Sequence, residues 1–440
     1  MQKVLSYLIN NIWKIFVVYV IVQIFLIIFW PEPFHSDSNY YYHLAQTCIA
    51  NHSFYPAKIH LYEDYIISPL YINLLVLVLS IYNSQISIGI LNIILNCLQL
   101  LLVFKISYKL FNKHTAIVSV IIYIFYLSTL GLILMNYTEL FFGVLILASI
   151  YYFYKDNPLS YFVAGIFVAA SIGVRPIGWA LALSYLIVLT IRLIKYKEGS
   201  MKIFLVITGS ILFIAAFGFF TQSYFNRFIY TNTNGPVNIL IGANENATGA
   251  FNGKVFEKGN AGYIANPGSI TYMEKEAYWK KEALNWIETH PLKWISLFPL
   301  KIVHMFVWDD YSIATLFHLD NWDLYRLLKT ILIEKNLHLN MNRPVYFSIS
   351  YFIVQIIHHL YYFTIISIFI LIIIRKKFFS IFINKYLPVT LFILLGVTMN
   401  LATFGGARFK YPYMLFIIIA VSPAVSNYIR NSKLFPDTFK

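Results

Sequence analysis

Cysteine is almost missing from this chain: only Cys48 and Cys97 are present. Two lone thiols give neither a disulfide framework nor a metal-binding spacing. HExxH, CxxC and Walker-type loops are also lacking, so the sequence offers no support for nucleotide-driven transport. Charge is scarce too. Asp, Glu, Lys and Arg together make up 12% of the residues, about half of what soluble domains carry. The first apolar run ends in Phe29-Trp30-Pro31 without a small-residue cleavage site, so it is expected to stay as an anchor.

What fills the chain instead is apolar: 59% of its residues are hydrophobic. They lie in long uninterrupted runs, which is the pattern of a membrane protein. Spans are expected near 12–30, 86–104, 115–135, 138–154, 159–174, 177–194, 202–224, 350–374, 386–403 and 411–429. A membrane helix needs about 20 apolar residues, and the stretch 70–82 falls short of that. The stretch at 290–308 holds Lys293, Pro299 and Lys301. Both are read as interfacial or re-entrant segments, which are tolerated where protein covers them.

The net charge of +14 would suit a nucleic-acid binder, but its distribution does not. Basic residues cluster beside the apolar runs, as Lys105/Lys109/Lys113, Arg192/Lys195/Lys197 and Arg375/Lys376/Lys377. That is what the positive-inside rule produces. With 70–82 not spanning and a cytoplasmic N-terminus, the tracts at 105–113, 192–202, 375–385 and 430–440 all fall inside. Both termini are then cytoplasmic, and two long loops, 31–85 and 225–349, face outward. No internal repeat is visible, which argues against many transporter folds.

The outer side holds the residues that can do chemistry. Asp37 opens a stretch of helical potential just after the first span. It is either a helix cap or a carboxylate base at the membrane surface. Glu63 and Asp64 adjoin the interfacial segment, where charge is more costly to place; solvated surface charge is the alternative. Glu139 lies in the first turn of the fourth span, as a capping acid or as a second site carboxylate. Arg175 and Arg408 sit at outer span ends, where short loops should be poor in basic residues. Each can snorkel to the interface or grip a phosphate with its planar fork. The adjacent His358 and His359 point to different helix faces and cannot simply share a metal.

Read in order, Ser36-Asp37, Ser-Pro-Leu-Tyr at 68–71, Thr-Glu-Leu-Phe at 138–141, Gly-Val-Arg-Pro-Ile-Gly at 173–178, His-Pro-Leu-Lys-Trp at 290–294 and Ala-Arg-Phe-Lys-Tyr-Pro at 407–412 form a pattern. It resembles the GT-C glycosyltransferases of the protein O-mannosyltransferase and aminoarabinose-transferase type, glycosyltransferase family 39. The resemblance covers most of the chain and is weak at about 231–270 and 310–345. It implies an all-α polytopic membrane protein, a GT-C-like bundle of about ten transmembrane helices whose two outer loops contain interfacial helices. Residues 1–224 would form the transmembrane catalytic module, 225–349 the large outer loop and 350–440 the C-terminal transmembrane helices.

The implied reaction moves a sugar, with inversion, from a polyprenyl-phosphate donor to a hydroxyl on a lipid, glycan or protein at the non-cytoplasmic face. The family's base maps to Asp37, its second acidic site to Glu63 or Asp64, its fourth-span acid to Glu139 and its basic residue to Arg175; Arg408 is the further phosphate candidate. A divalent metal is possible but not required, and no nucleic-acid partner is implied. The expected location is the plasma membrane of a bacterium. Where aminoarabinose transferases show Glu-Lys-Pro, this chain has Glu63-Asp64-Tyr65, so the same substrate is not implied. A lipid-linked saccharide flippase and an O-antigen polymerase or ligase are the rival readings.

Overall fold

A computed structural model describes residues 7, 10–31, 33–319, 328–334 and 345–431. The basic tract expected at 430–440 lies almost wholly outside the described residues. In chain order the helices are α1 (Ile12–Phe29), α2 (Ser36–Ala50), α3 (Pro69–Ile81), α4 (Gln85–Leu110), α5 (Lys113–Phe125), α6 (Ser128–Ile133), α7 (Glu139–Lys155), α8 (Pro158–Val174) and α9 (Gly178–Tyr196). There follow α10 (Ser200–Phe225), α11 (Gly235–Ile241), α12 (Tyr272–Thr289), α13 (Pro291–Ser296), α14 (Phe298–Phe306), α15 (Tyr311–Leu316), α16 (Val345–Ile374), α17 (Lys376–Ala402) and α18 (Tyr411–Asn431). The protein is an all-helical polytopic membrane protein. Among the described residues, six helices (α1, α4, α9, α10, α16 and one that includes α18) are long and apolar enough to cross a bilayer.

Apolar runs without a polar face fold as helices whose backbone bonds close internally, the only open-chain solution available in lipid. Which face turns outward is then a matter of packing. Peripheral α1 and α10 leave Phe25, Ile28, Phe204 and Ile211 exposed. In water such surfaces would drive aggregation; in a bilayer they meet acyl chains. Helix α18 is the opposite case and is largely enclosed by its neighbours.

Lipid-facing helices cannot be driven together by the hydrophobic effect, so close packing and hydrogen bonds take over. Helices α8 and α10 cross where Gly165 meets Gly209: a Cβ on either would lie 2.2 Å from a backbone oxygen of the other helix. At the centre, Gln23, Asn96 and Gln99 are fully buried and fully engaged. Asn96 donates to Tyr19 Oη (3.0 Å) and Gln23 Oε1 (2.9 Å). Tyr123 and Tyr411 donate to Gln99 Oε1 at 3.0 and 2.7 Å, and Gln99 donates to the Leu140 carbonyl at 2.7 Å. This satisfied network ties α1, α4, α5, α7 and α18 together.

One expected span is corrected. The run 115–135 is two helices, broken between Phe125 and Ser128. The break turns α6 onto α15, where Gly131 approaches the Ser312 backbone so closely that a Cβ would clash at 1.9 Å. It also lets Ser128 Oγ donate to Asp309 Oδ2 at 3.2 Å. The short stretch 70–82 is helical (α3), and 290–308 folds as two short helices, α13 and α14.

Connectivity sorts the bundle's ends. Helices α4, α7, α9 and α16 end on one side, the side of the basic tracts at 105–113, 192–197 and 375–377. The loop after α1, the start of α7, the end of α8 and the turn before α18 all lie at the other end.

Candidate active site

Four charged side chains from four separate segments meet at that second end. Asp37 comes from the first turn of α2, Glu139 from the first turn of α7, Arg175 from the residue closing α8, and Arg408 from a short 3-10 turn, Ala407–Lys410, before α18. Arg408 Nη2 pairs with Asp37 Oδ2, and its Nε lies 4.0 Å from Glu139 Oε1. Arg175 Nη1 lies 2.9 Å from the same Glu139 oxygen. The order Asp37–Arg408–Glu139–Arg175 alternates in sign. Glu139 is 2% exposed whereas Asp37 is 35% exposed, so Glu139 forms the floor and Asp37 the accessible edge.

Neither α2 nor α7 has a side-chain cap hydrogen bond. Asp37 and Glu139 do lie in the first turns, where the helix dipole favours an acid, and both carboxylates also face guanidinium groups. Aromatic rings hold the two arginines from the sides. The Arg408 guanidinium lies 4.9 Å from the Tyr137 ring centroid, and that of Arg175 lies 5.9 Å from the centroid of Phe409.

All four residues line one cavity of about 800 Å³. It extends under the second outer loop, past Asn232, Asn234 and Asn238 to Phe256 and Trp279. Ser36 and Ser68, on its wall, adopt left-handed backbone angles (φ 48° and 44°). Ser68 is fixed there by Oγ donating to the Val174 carbonyl (2.9 Å) and by its own N–H donating to Asn232 Oδ1 (2.8 Å).

The two acids of the first loop separate. Asp64 lines the cavity and pairs with Lys275 of α12 at 2.9 Å. Glu63 is not on the cavity wall; it accepts a hydrogen bond from Tyr40 Oη at 3.1 Å. Buried Lys275 also donates to the carbonyls of Tyr62 (2.9 Å) and Glu63 (3.1 Å), which clamps the second outer loop onto the first.

A second charge cluster went unnoticed in the sequence. Asp309 Oδ1 lies 3.0 Å from Lys410 Nζ, and Asp309 Oδ2 lies 2.9 Å from His358 Nε2. The Asp309 N–H donates to His359 Nε2 at 3.2 Å. Burial opposes ionisation of Asp309, yet the Lys410 ammonium and the His358 hydrogen bond outweigh it and hold the carboxyl well below the usual carboxylate range. Lys410 stands two residues from Arg408, so this cluster pins the turn that presents Arg408. The only sequence signal was Trp308-Asp309-Asp310 in an apolar setting. The two imidazoles meet edge-on, with centroids 5.8 Å apart and ring planes at 85°, and both engage Asp309. Among the described residues no group of three His, Cys, Asp or Glu side chains is arranged to hold a metal.

No family model and no curated protein matches the chain. Its structure is similar to that of the Archaeoglobus fulgidus oligosaccharyltransferase tethered to an acceptor peptide, at 11% sequence identity and a TM-score of 0.47. The match covers 97% of this chain and 52% of that one, so the chain spans about half the length of the solved structure.

Proposed function

We propose that this protein is an inverting membrane glycosyltransferase. In this reading it takes a sugar from a polyprenyl-phosphate donor at the non-cytoplasmic face and passes it to a hydroxyl acceptor. The observation that carries the reading is the alternating set Asp37–Arg408–Glu139–Arg175 on the wall of a large cavity, opposite the basic tracts.

Such a transfer asks for two things. The acceptor hydroxyl must lose a proton as its oxygen attacks the anomeric carbon, and a positioned carboxylate contributes about 10²–10⁴ in rate. The anomeric C–O bond breaks with its electron pair going to the phosphate oxygen, so the leaving group wants fixed cations rather than an acid. Asp37 is the accessible carboxylate and takes the proton. Arg175 and Arg408 receive the phosphate, with Glu139 aiming both. A single displacement needs only one base, unlike a retaining glycosidase with its pair of carboxylates.

The Arg408–Asp37 pairing also sets an order. Arg408 is engaged by Asp37, and a phosphate entering the site competes for that guanidinium. Donor binding then frees Asp37 to act as a base. No step of this scheme requires a divalent metal, because the two guanidinium groups carry the charge on the leaving phosphate.

The test is transfer of radiolabelled sugar in membranes, from polyprenyl-phosphate donors and, separately, from nucleotide sugars. Wild type transfers from a polyprenyl-phosphate donor, and Asp37→Asn at matched expression loses about 10²–10⁴ of that rate. Equal transfer by the variant removes Asp37 from the chemistry. Transfer from nucleotide sugars alone contradicts the donor assignment.

A further inference from the structure

The part of the cavity wall supplied by residues 232–279, a second limb of the site, carries no charged side chain, and its chemistry differs from that of the charged end. Its wall includes Asn232, Asn234 and Asn238, with Phe251, Tyr263 and Trp279. We propose that this limb binds the acceptor and that the acceptor is a neutral saccharide; the inference rests on the glycosyl-transfer reading of the charged end.

The loop's asparagines divide into two groups. Asn244 donates to the Leu240 and Ile241 carbonyls (2.8 and 3.0 Å), Asn252 to Asn246 O (2.7 Å), and Asn260 to Lys254 O (2.6 Å). Those amides staple the loop. The half-buried side chains of Asn234 and Asn238 have no hydrogen-bond partner among the described residues, and both line the cavity. A side-chain amide offers two donors and one acceptor oxygen. That mixture suits vicinal sugar hydroxyls, which both donate and accept.

The rings complete the pattern. Phe251 is 62% exposed and Tyr263 36% exposed, so each leaves a ring available against the apolar C–H face of a pyranose. Trp279 is different. Its indole N–H donates to the Gly262 carbonyl at 3.1 Å, and its ring meets Phe256 edge-on, which makes it the floor that supports the others.

Two features bear on the class of acceptor. No Lys or Arg lines this limb among the described residues; the cavity's two cations, Arg175 and Arg408, are at the other end. A phosphate- or carboxylate-bearing acceptor would lack a counter-charge there. Asp64, the acid toward this side, is already paired with Lys275. Next, the aromatic wall runs from limb to site: Phe251 and Phe404 lie 5.8 Å apart, Phe404 and Phe409 5.3 Å, and the Arg175 guanidinium 5.9 Å from the Phe409 centroid. A sugar seated on that wall points a hydroxyl toward the charged end. The cavity volume of about 800 Å³ accommodates more than a donor headgroup, within the range of about 300–1,000 Å³ for ligand pockets.

The experiment is equilibrium binding, by ligand-observed NMR, to the purified full chain in lipid nanodiscs. The probes are neutral trisaccharides of glucose, galactose, mannose, N-acetylglucosamine and rhamnose, with a Ser/Thr-containing peptide alongside. At least one trisaccharide is expected to bind, with affinity falling about tenfold or more in Asn238→Ala and in Tyr263→Ala. Asn234→Ala serves as a third variant, and all three keep the wild-type melting temperature because these side chains tie nothing together. Saccharide binding without transfer from any donor would uphold this inference while sinking the glycosyl-transfer reading. Binding of no trisaccharide, binding indifferent to all three variants, or peptide binding lost in those variants would overturn it.

Discussion

Glu139 is the residue on which the arrangement turns. It is buried between Arg175 and Arg408, so neutralising it leaves two guanidinium groups facing each other. Removing one partner of a buried ion pair costs about 3–5 kcal/mol. Glu139→Gln is therefore expected to lower the melting temperature in detergent markedly, whereas Asp37→Asn, at the exposed edge, changes it little. Equal shifts for the two would contradict the division into floor and edge. His60 gives a pH dependence of a different kind. Burial lowers its pKa from 6.5 to about 4, and its Nδ1 accepts the Ala57 N–H at 3.0 Å. Between about 4 and 6.5 the unfolded chain holds a proton that the folded one does not, so stability rises with pH across that window. Thermal melts should show the first outer loop weakening as pH falls below about 6.5, and His60→Gln should flatten that dependence.

At the scale of elements, the second outer loop is held by a few specific contacts. Lys275 clamps residues 62–64, while the Thr233 N–H donates to the Ile66 carbonyl and the Ile66 N–H to Thr233 Oγ1, at 2.8 and 2.9 Å. Lys275→Met should release the loop and speed limited proteolysis within 250–270, with the bundle itself intact; an unchanged cleavage rate would place the restraint elsewhere. The helices of the bundle were legible because each needed only a long apolar run, and the site acids and arginines were legible because charge beside lipid is costly. The break after Phe125 was not legible: Ser128, Thr129 and Gly131 only dilute an apolar run, and the Ser312 backbone against which Gly131 packs lies far along the chain. The pairing of Asp309 with Lys410 escaped for the same reason, since neither residue carries a local sign of its partner. Choosing Asp64 over Glu63 as the cavity residue likewise depended on Lys275, a residue far along the chain.

For the whole molecule, the proposed topology has both long loops on one side of the membrane and the basic tracts on the other. Single cysteines at Ser269 and Lys197, in a chain with Cys48 and Cys97 replaced by serine, should react with an impermeant maleimide from opposite sides. Labelling of both from the same side would contradict the topology. In the proposed transfer the decisive event is competition between a phosphate and Asp37 for Arg408 within one site. Its most direct test is the affinity of polyprenyl phosphate, the bare leaving group, for wild type, Asp37→Asn and Arg408→Ala in nanodiscs. Asp37→Asn is expected to bind the phosphate more tightly than wild type while losing about 10²–10⁴ of the transfer rate, and Arg408→Ala to bind it more weakly. Weaker or unchanged binding by Asp37→Asn would mean that Arg408 is not shared between the two, and the proposed site would fall.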